Sequence, residues 1–291
     1  MKGTIITNPF DNSAVQQHKV KRMTEEFRRL NADITVVSND RFLTYVDRGE
    51  IVSSVDADFA LYFDKDKYVA RMLEARGIRT FNTARATEIC DDKMLTHIAL
   101  ANCGINMPTT LSGALCYVKD GEIDGDYLRF VADRLGFPLV VKECHGSYGE
   151  QVYLVKDLNQ LQATVNAIKS KPYLFQKFIG ESAGRDMRVI VIGGKVACGM
   201  LRQSAVDFRS NVQHGGQATA VRVPDDIAGL CEKAARIIGL DYCGVDVLLG
   251  GVPAICEVNS NAMFAAMERT TGVNVARLYA EHIVDCVKHG R

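Results

Sequence analysis

The sequence predicts a mixed α/β (α+β) protein in three units, a small parallel sheet with helices followed by two units built on antiparallel hairpins. Two patterns carry this expectation. Over about residues 1–88, strand-length apolar runs alternate with helical periodicity, the rhythm of βαβ units. Further along, β-branched runs flank Gly193-Gly194 and Gly250-Gly251, which are short turn signals between paired strands.

The elements follow in order. Gly3 to Thr7 reads as a buried strand, Val15 to Leu30 as a helix and Asp33 to Ser38 as a second strand. Asp58 to Phe63 is a third strand, with a helix through Arg71 and Leu73 to Ala75 and a fourth strand at Ile78 to Phe81. A second unit, 89–172, opens with a helix from near Asp91 to about Asn102, stopped by Gly104 and Pro108. Its further elements are a helix over Asp126 to Leu135, strands Leu139 to Lys142 and Gln151 to Val155 around a Gly146 to Gly149 loop, and a helix over Leu158 to Lys169. The third unit, 173–291, pairs Met187 to Ile192 with Lys195 to Met200. After a helix over Asp225 to Ile238 it pairs Cys243 to Leu249 with Ala254 to Val258, and it closes with a helix from Val275 to about Val287.

Composition limits the function. Lys plus Arg equals Asp plus Glu, so nothing global favours nucleic acid or an anionic membrane as partner. No apolar run approaches the roughly 18 residues of a membrane span. The start shows no signal-peptide pattern, and nine scattered cysteines include no Cys-x-x-Cys pair. Reduced thiols in a cytoplasmic protein are expected. Phosphate-loop, dinucleotide, zinc-protease and nucleophile-elbow motifs are all missing.

Three local patterns carry chemistry. With the second hairpin's turn centred between Gly251 and Val252, Asp246 lies opposite Glu257, and Asn259 shares that face. Two facing carboxylates and an amide oxygen suit magnesium or manganese beside nucleotide phosphates; a solvated polar face with basic neighbours is the alternative. Lys142 ends an apolar strand just before Gly146-Ser147-Tyr148-Gly149, a loop whose backbone amides suit a phosphate; a snorkelling lysine beside an ordinary turn is the alternative. Asp186 and Arg188 share a face of the first hairpin, where Arg188 is expected opposite Gly199, and Arg202, Arg209 and Asn211 follow before His214-Gly215-Gly216; such basic groups around glycine turns suit a phosphoryl or acyl-phosphate intermediate, and surface arginines on a polar loop are the alternative.

Taken in order, Asp186-Met-Arg-Val-Ile-Val-Ile-Gly-Gly-Lys-Val, Phe208-Arg-Ser-Asn-Val-Gln-His-Gly-Gly, Gly244-Val-Asp-Val-Leu-Leu, Glu257-Val-Asn-Ser-Asn and Thr271-Gly-Val-Asn resemble the ATP-grasp superfamily, and within it the RimK-like amino-acid ligases. The resemblance covers about residues 85–287. It implies ATP clamped between two antiparallel sheets, with Mg (or Mn) held by Asp246, Glu257 and Asn259. It implies that Lys93 and Lys142 contact the phosphates, under a lid of Gly146, Ser147, Tyr148 and Gly149. Gln176, Lys177, Phe178 and Ile179 would read the adenine, and Asp186 the ribose side. Arg188, Arg209, Ser210 and Asn211 would lie near the phosphates. Lys142, Arg202 and Arg209 would stabilise the reaction. The implied activity is ATP-dependent ligation of an amino acid such as glutamate to a carboxylate of a protein, carrier protein or small molecule, by a homo-oligomer. A small-metabolite peptide ligase and a non-catalytic nucleotide-binding regulator are the other readings. Two departures stand out. Gln151 replaces a frequent lid glycine, and Ser260-Asn-Ala-Met-Phe is closer to the branch of lysine-biosynthesis carrier-protein ligases than to the ribosomal-protein-modifying branch.

Overall fold

The computed structural model describes residues 1–41, 43–118, 121–147, 149–210 and 216–290. Its first part runs β1 (Lys2–Thr7), α1 (Ala14–Arg29), β2 (Asp33–Ser38), β3 (Thr44–Asp47), β4 (Glu50–Ser53), β5 (Phe59–Phe63), α2 (Lys67–Ala75) and β6 (Arg79–Phe81). Four of these strands form a sheet of order β2-β1-β5-β6, parallel throughout. Every residue of β5 is buried, as expected of a central parallel strand covered on both faces. Gly3 admits the Phe59 ring across β1, because a Cβ there would meet ring carbon Cζ at 2.3 Å. Ser13 caps α1, its hydroxyl accepting from the Gln16 N–H at 3.2 Å. The β3–β4 hairpin is unexpected from sequence. Its turn holds Arg48 at φ 48° and Gly49 at φ 88°, the two positive values that a type I′ turn requires.

Of two helices, α3 (Ala84–Asp91) and α4 (Lys93–Leu100), the second falls where one was expected from Asp91 to Asn102, and the first precedes it unexpected from sequence. The Asp92 carboxylate accepts from the Met94 and Leu95 N–H groups at 2.8 and 3.1 Å, so it starts a new helix rather than continuing one.

The next group is β7 (Thr110–Ser112), α5 (Gly125–Leu135), β8 (Leu139–Glu143), β9 (Val152–Val155), α6 (Leu158–Ile168) and β10 (Tyr173–Lys177). Its antiparallel sheet has the order β7-β10-β8-β9. Sequence proximity assigns Tyr173–Lys177 to the third unit, but its hydrogen bonds run to β7 and β8. One face of this sheet packs on α5 and α6 through a core that includes Leu128, Val131, Val141, Leu161, Val165 and Phe175.

The last group is β11 (Arg185–Ile192), β12 (Lys195–Gln203), β13 (Gln217–Val221), α7 (Asp225–Ile238), β14 (Tyr242–Leu248), β15 (Ala254–Asn259), α8 (Ala265–Thr271) and α9 (Val275–His289). An antiparallel sheet of order β13-β12-β11-β14-β15 results. Its Met187, Val189 and Val191 side packs on α7 with residues of α3 and α4. On the opposite side, Ile190, Tyr242 and Tyr279 share one core with Phe27, Phe59 and Phe81 of the first sheet. The first and last sheets are therefore fused, whereas the middle sheet keeps its own core. None of the nine cysteines is in a disulfide. No helix among the described residues is long and apolar enough to cross a membrane.

Candidate active site

A cavity of about 550 Å³ opens where the three sheets meet. It exists because β11 divides its inward face. Ile190 and Ile192 enter the shared core, while Asp186 and Arg188 turn into the cavity. From β12 come Met200 and Arg202, from β14 Asp246 and Leu248, and from β8 and β10 of the facing sheet Val140, Lys142 and Gln176.

Two β-bulges set the register here. The second hairpin pairs Leu248 with Ala254 and Val247 with Ile255, but Asp246 with Glu257, so Cys256 is the extra residue. The turn is thus centred half a residue from the expected point, and the bulge restores the Asp246–Glu257 pairing. It also puts the neighbours Cys256 and Glu257 on the same cavity, which strict alternation forbids. In the first hairpin a bulge at Ala197 moves the partner of Arg188 to Met200; Gly199 instead faces Val189. The expected Arg188–Gly199 pairing fails because the sequence gives no sign of that bulge.

Charge is organised in alternation. Arg202 donates to both oxygens of Asp186, at 2.7 and 2.5 Å, and reaches Asp246 at 2.9 Å. Arg188 grips Asp246 at 2.7 and 2.6 Å. Burial alone would raise the Asp246 pKa, yet the Arg188 and Arg202 guanidinium groups hold it below the usual carboxylate range. Burial also opposes charge on Arg202, and the facing carboxylates of Asp246 and Asp186 outweigh it. Across the hairpin, Glu257 lines the cavity and has no hydrogen-bond partner among the described residues. The Asn259 Oδ1 accepts from the Asn261 N–H at 2.9 Å.

On the facing sheet, buried Lys142 donates to Gln176 Oε1 at 2.7 Å and to Cys256 Sγ at 3.3 Å. Because Lys142 can only donate, Gln176 must present its oxygen there and its NH2 to Thr110 and His97, at 2.9 and 3.0 Å. His97 Nε2 then accepts, so its imidazole is neutral. Burial, with Lys142 nearby, lowers its pKa to about 4. Burial likewise raises the Cys256 thiol pKa, although Lys142 opposes this. The loop after β8 is tied from three directions. Lys93 Nζ donates to the Gly146 carbonyl at 3.3 Å, Arg209 to the Gly149 carbonyl at 2.6 Å, and Lys65 to the Ser147 hydroxyl at 3.1 Å. Gln151 folds beneath it: a Cβ on Gly146 would lie 2.3 Å from Gln151 Oε1, which has no hydrogen-bond partner among the described residues.

Every described residue expected from the sequence lines this cavity: Lys93, Lys142, Gly146, Ser147, Gly149, Gln176, Lys177, Phe178, Ile179, Asp186, Arg188, Arg202, Arg209, Ser210, Asp246, Glu257 and Asn259. Tyr148 and Asn211, with His214 and Gly215, lie outside the described residues. Sequence reasoning missed the wall made by the first sheet, where Asn8, Asp11, Asp64 and Lys65 follow strand ends, and it missed Arg269 at the mouth. Asn8 and Asp64 come from the C-terminal ends of β1 and β5, where open parallel sheets expose ligand-binding loops, so strand polarity was the available signal.

Residues 90–283 match the RimK-like ATP-grasp domain. The chain belongs to the RimK-like ATP-grasp family. Among curated RimK-like relatives, "Beta-citrylglutamate synthase B" of Homo sapiens is 34% identical over 232 residues, 78% of this chain and 58% of that protein. A protein of Maridesulfovibrio salexigens named "Probable alpha-L-glutamate ligase" is 34% identical over 227 residues, 77% of this chain and 73% of that one. The chain therefore spans well under the full length of these RimK-like relatives. The ATP-grasp ligase PsnB, solved with a minimal precursor, Mg and ADP, superimposes with a TM-score of 0.72 at 19% identity, covering 98% of this chain and 97% of that one. That likeness establishes the ATP-grasp fold.

Proposed function

We propose that this RimK-like chain is an ATP- and magnesium-dependent carboxylate–amine ligase that forms an amide through an acyl phosphate, with glutamate as the favoured amino acid. The observation that carries the reading is the pairing of Asp246 with Glu257, whose carboxylate has no partner among the described residues, on a sheet face that also carries Arg188 and Arg202, with Lys142 and Lys93 across the cavity. The names of both relatives contain glutamate, which supports the choice of amino acid. The acceptor would be a carboxylate of a protein, a carrier protein or a small molecule. Arg269 favours such an anion, since its exposed guanidinium has no partner among the described residues.

The donor set fits magnesium: two carboxylates and an amide oxygen, all hard, on one sheet face, with room for phosphate oxygens to complete the shell. Bound there by Asp246, Glu257 and Asn259, magnesium would neutralise charge on the phosphates. Gln176 to Ile179 would hold the adenine, with Gln176 fixed from behind by Lys142 and His97. In the first step a substrate carboxylate oxygen attacks the γ-phosphorus and ADP leaves. In the second, an amine nitrogen attacks the acyl carbon, phosphate departs with its electron pair and the nitrogen loses a proton. Lys142 and Arg202 supply fixed positive charge that needs no reorganisation as the oxyanion develops. No enzyme nucleophile is needed, and burial keeps the Cys256 thiol protonated.

The test is an ADP-release screen of amino acids against carboxylate acceptors, with amide products read by mass spectrometry. Glu257→Gln retains shape and removes one charge, so it should raise the magnesium needed for half-maximal turnover about tenfold. ADP release with no amide product would refute the ligase, and an unchanged magnesium curve would refute the ligand role of Glu257.

A further inference from the structure

Helix α1 presents Gln16, Lys19, Met23, Glu26 and Phe27 to the interior. Three of these are polar, and two have ordinary reasons to be there. Gln16 donates to the Phe63 carbonyl at 3.1 Å, and Glu26 is held by Arg22, Arg29 and Asn274. Lys19 is different. It is 1% exposed and has no carboxylate in ion-pair reach among the described residues. Its ammonium donates to the side-chain oxygen of Asn261 and, at 3.4 Å, to the Asn261 carbonyl. It also lies 4.0 Å from the centre of the Phe63 ring. Burial lowers its pKa to about 7 against the pull of Asp11, so holding a lysine here is costly, and an apolar side chain of equal length would be cheaper.

The contacts of Lys19 show what the cost supports. Asn261 and Phe63 both line the cavity. Asn261 also donates its N–H to the Asn259 side-chain oxygen at 2.9 Å. A continuous chain of hydrogen bonds thus runs from helix α1 of the first sheet to the Asn259 amide, which lies beside Glu257 on β15 and lines the same cavity. We propose that Lys19 is a positioning residue: by clamping Asn261 it orients Asn259 for the magnesium–nucleotide complex, coupling the first sheet to the metal face. The proposal rests on the magnesium reading given above. Lys19 does not line the cavity, so it acts through Asn261 rather than on substrate.

The test is calorimetric titration of ADP into the full chain at a series of magnesium concentrations, with thermal melting of the same samples. Lys19→Met keeps the length and removes the charge. It should raise the magnesium concentration at which ADP affinity is half-enhanced about tenfold, as loss of an outer-shell contact does. Its melting temperature should not fall, because the buried unpaired ammonium is gone. Asn261→Ala should shift the magnesium curve similarly, and the double variant no further, since both break one link. A folded Lys19→Met with an unchanged magnesium curve overturns the proposal. So does an unchanged curve for Asn261→Ala, which covers the case in which Lys19→Met does not fold. Wild-type ADP binding that ignores magnesium would instead overturn the metal reading, and this inference with it.

Discussion

At the scale of single residues, protonation in the cavity is set by who is buried beside whom. His97 is held neutral by burial next to Lys142 and accepts from Gln176, so the orientation of a residue expected at the adenine depends on an uncharged imidazole. Its folded pKa of about 4 lies below the unfolded value of about 6.5. Between these values the unfolded chain binds the extra proton. The stability that His97 contributes is therefore complete above about pH 6.5 and is lost as pH falls towards 4. Denaturant unfolding of wild type and His97→Gln from pH 4 to 7 should give curves that converge as pH drops, by at most about 1.4 kcal/mol per pH unit. Parallel curves would contradict the assignment. Arg202 makes the opposite kind of contribution. Arg202→Met leaves Asp186 without its guanidinium partner and deprives Asp246 of one of two. Removing one member of a buried ionic cluster costs about 3–5 kcal/mol, so chemical denaturation should show a loss of that order, and a variant as stable as wild type would exclude the network as a structural tie.

At the scale of elements, the repeating patterns were legible in the sequence and the irregularities were not. Helices such as Asp225–Ile238 and the strand Asp33–Ser38 follow periodicity residue for residue, because apolar spacing and capping are local. Helix α3 was hidden because two turns of helix are too short to show a clear apolar period. The β3–β4 hairpin was hidden because its turn uses Arg-Gly rather than Asn-Gly. Bulges at Ala197 and Cys256 were hidden because an extra residue has no signature of its own. The site was legible to the extent that it sits on hairpin strands: Asp246 opposite Glu257 emerged from alternation, helped by a bulge that happened to offset the misplaced turn. Asp11, Lys19 and Arg269 were not legible, because they reach the cavity or its supporting shell only through packing between sheets far apart in sequence, whereas Asn8 could have been flagged from the polarity of its parallel strand. One consequence can be checked. Since the bulge fixes the register, inserting a glycine between Gly251 and Val252 should cost less than about 1 kcal/mol and leave half-activating magnesium unchanged. A shifted magnesium curve would show that the turn sets the register instead.

For the whole molecule, the distribution of cores matters more than the number of sheets. The middle sheet buries its own apolar residues with α5 and α6, and apart from the Phe178–Phe208 ring contact its links around the cavity include several polar ones: Lys93 to the Gly146 carbonyl, Arg209 to the Gly149 carbonyl, Lys65 to Ser147 and Gln176 to His97. Such an arrangement favours rigid-body movement of the middle unit against the fused pair. Scanning calorimetry of the empty protein should resolve two unfolding steps, which ADP with magnesium should draw together by bridging the sheets. A single two-state transition without ligand would argue against independent units.

The fused core also has a bearing on biosynthesis. Phe27 and Phe59 are made early, yet the residues that complete their packing, among them Tyr242, Tyr279 and Ile283, leave the ribosome more than 180 residues later by their numbering. The middle unit, whose contacts are local, can settle as soon as it emerges. The first sheet must wait with apolar surface uncovered, and in that interval a nascent chain is most exposed to aggregation and most dependent on chaperones.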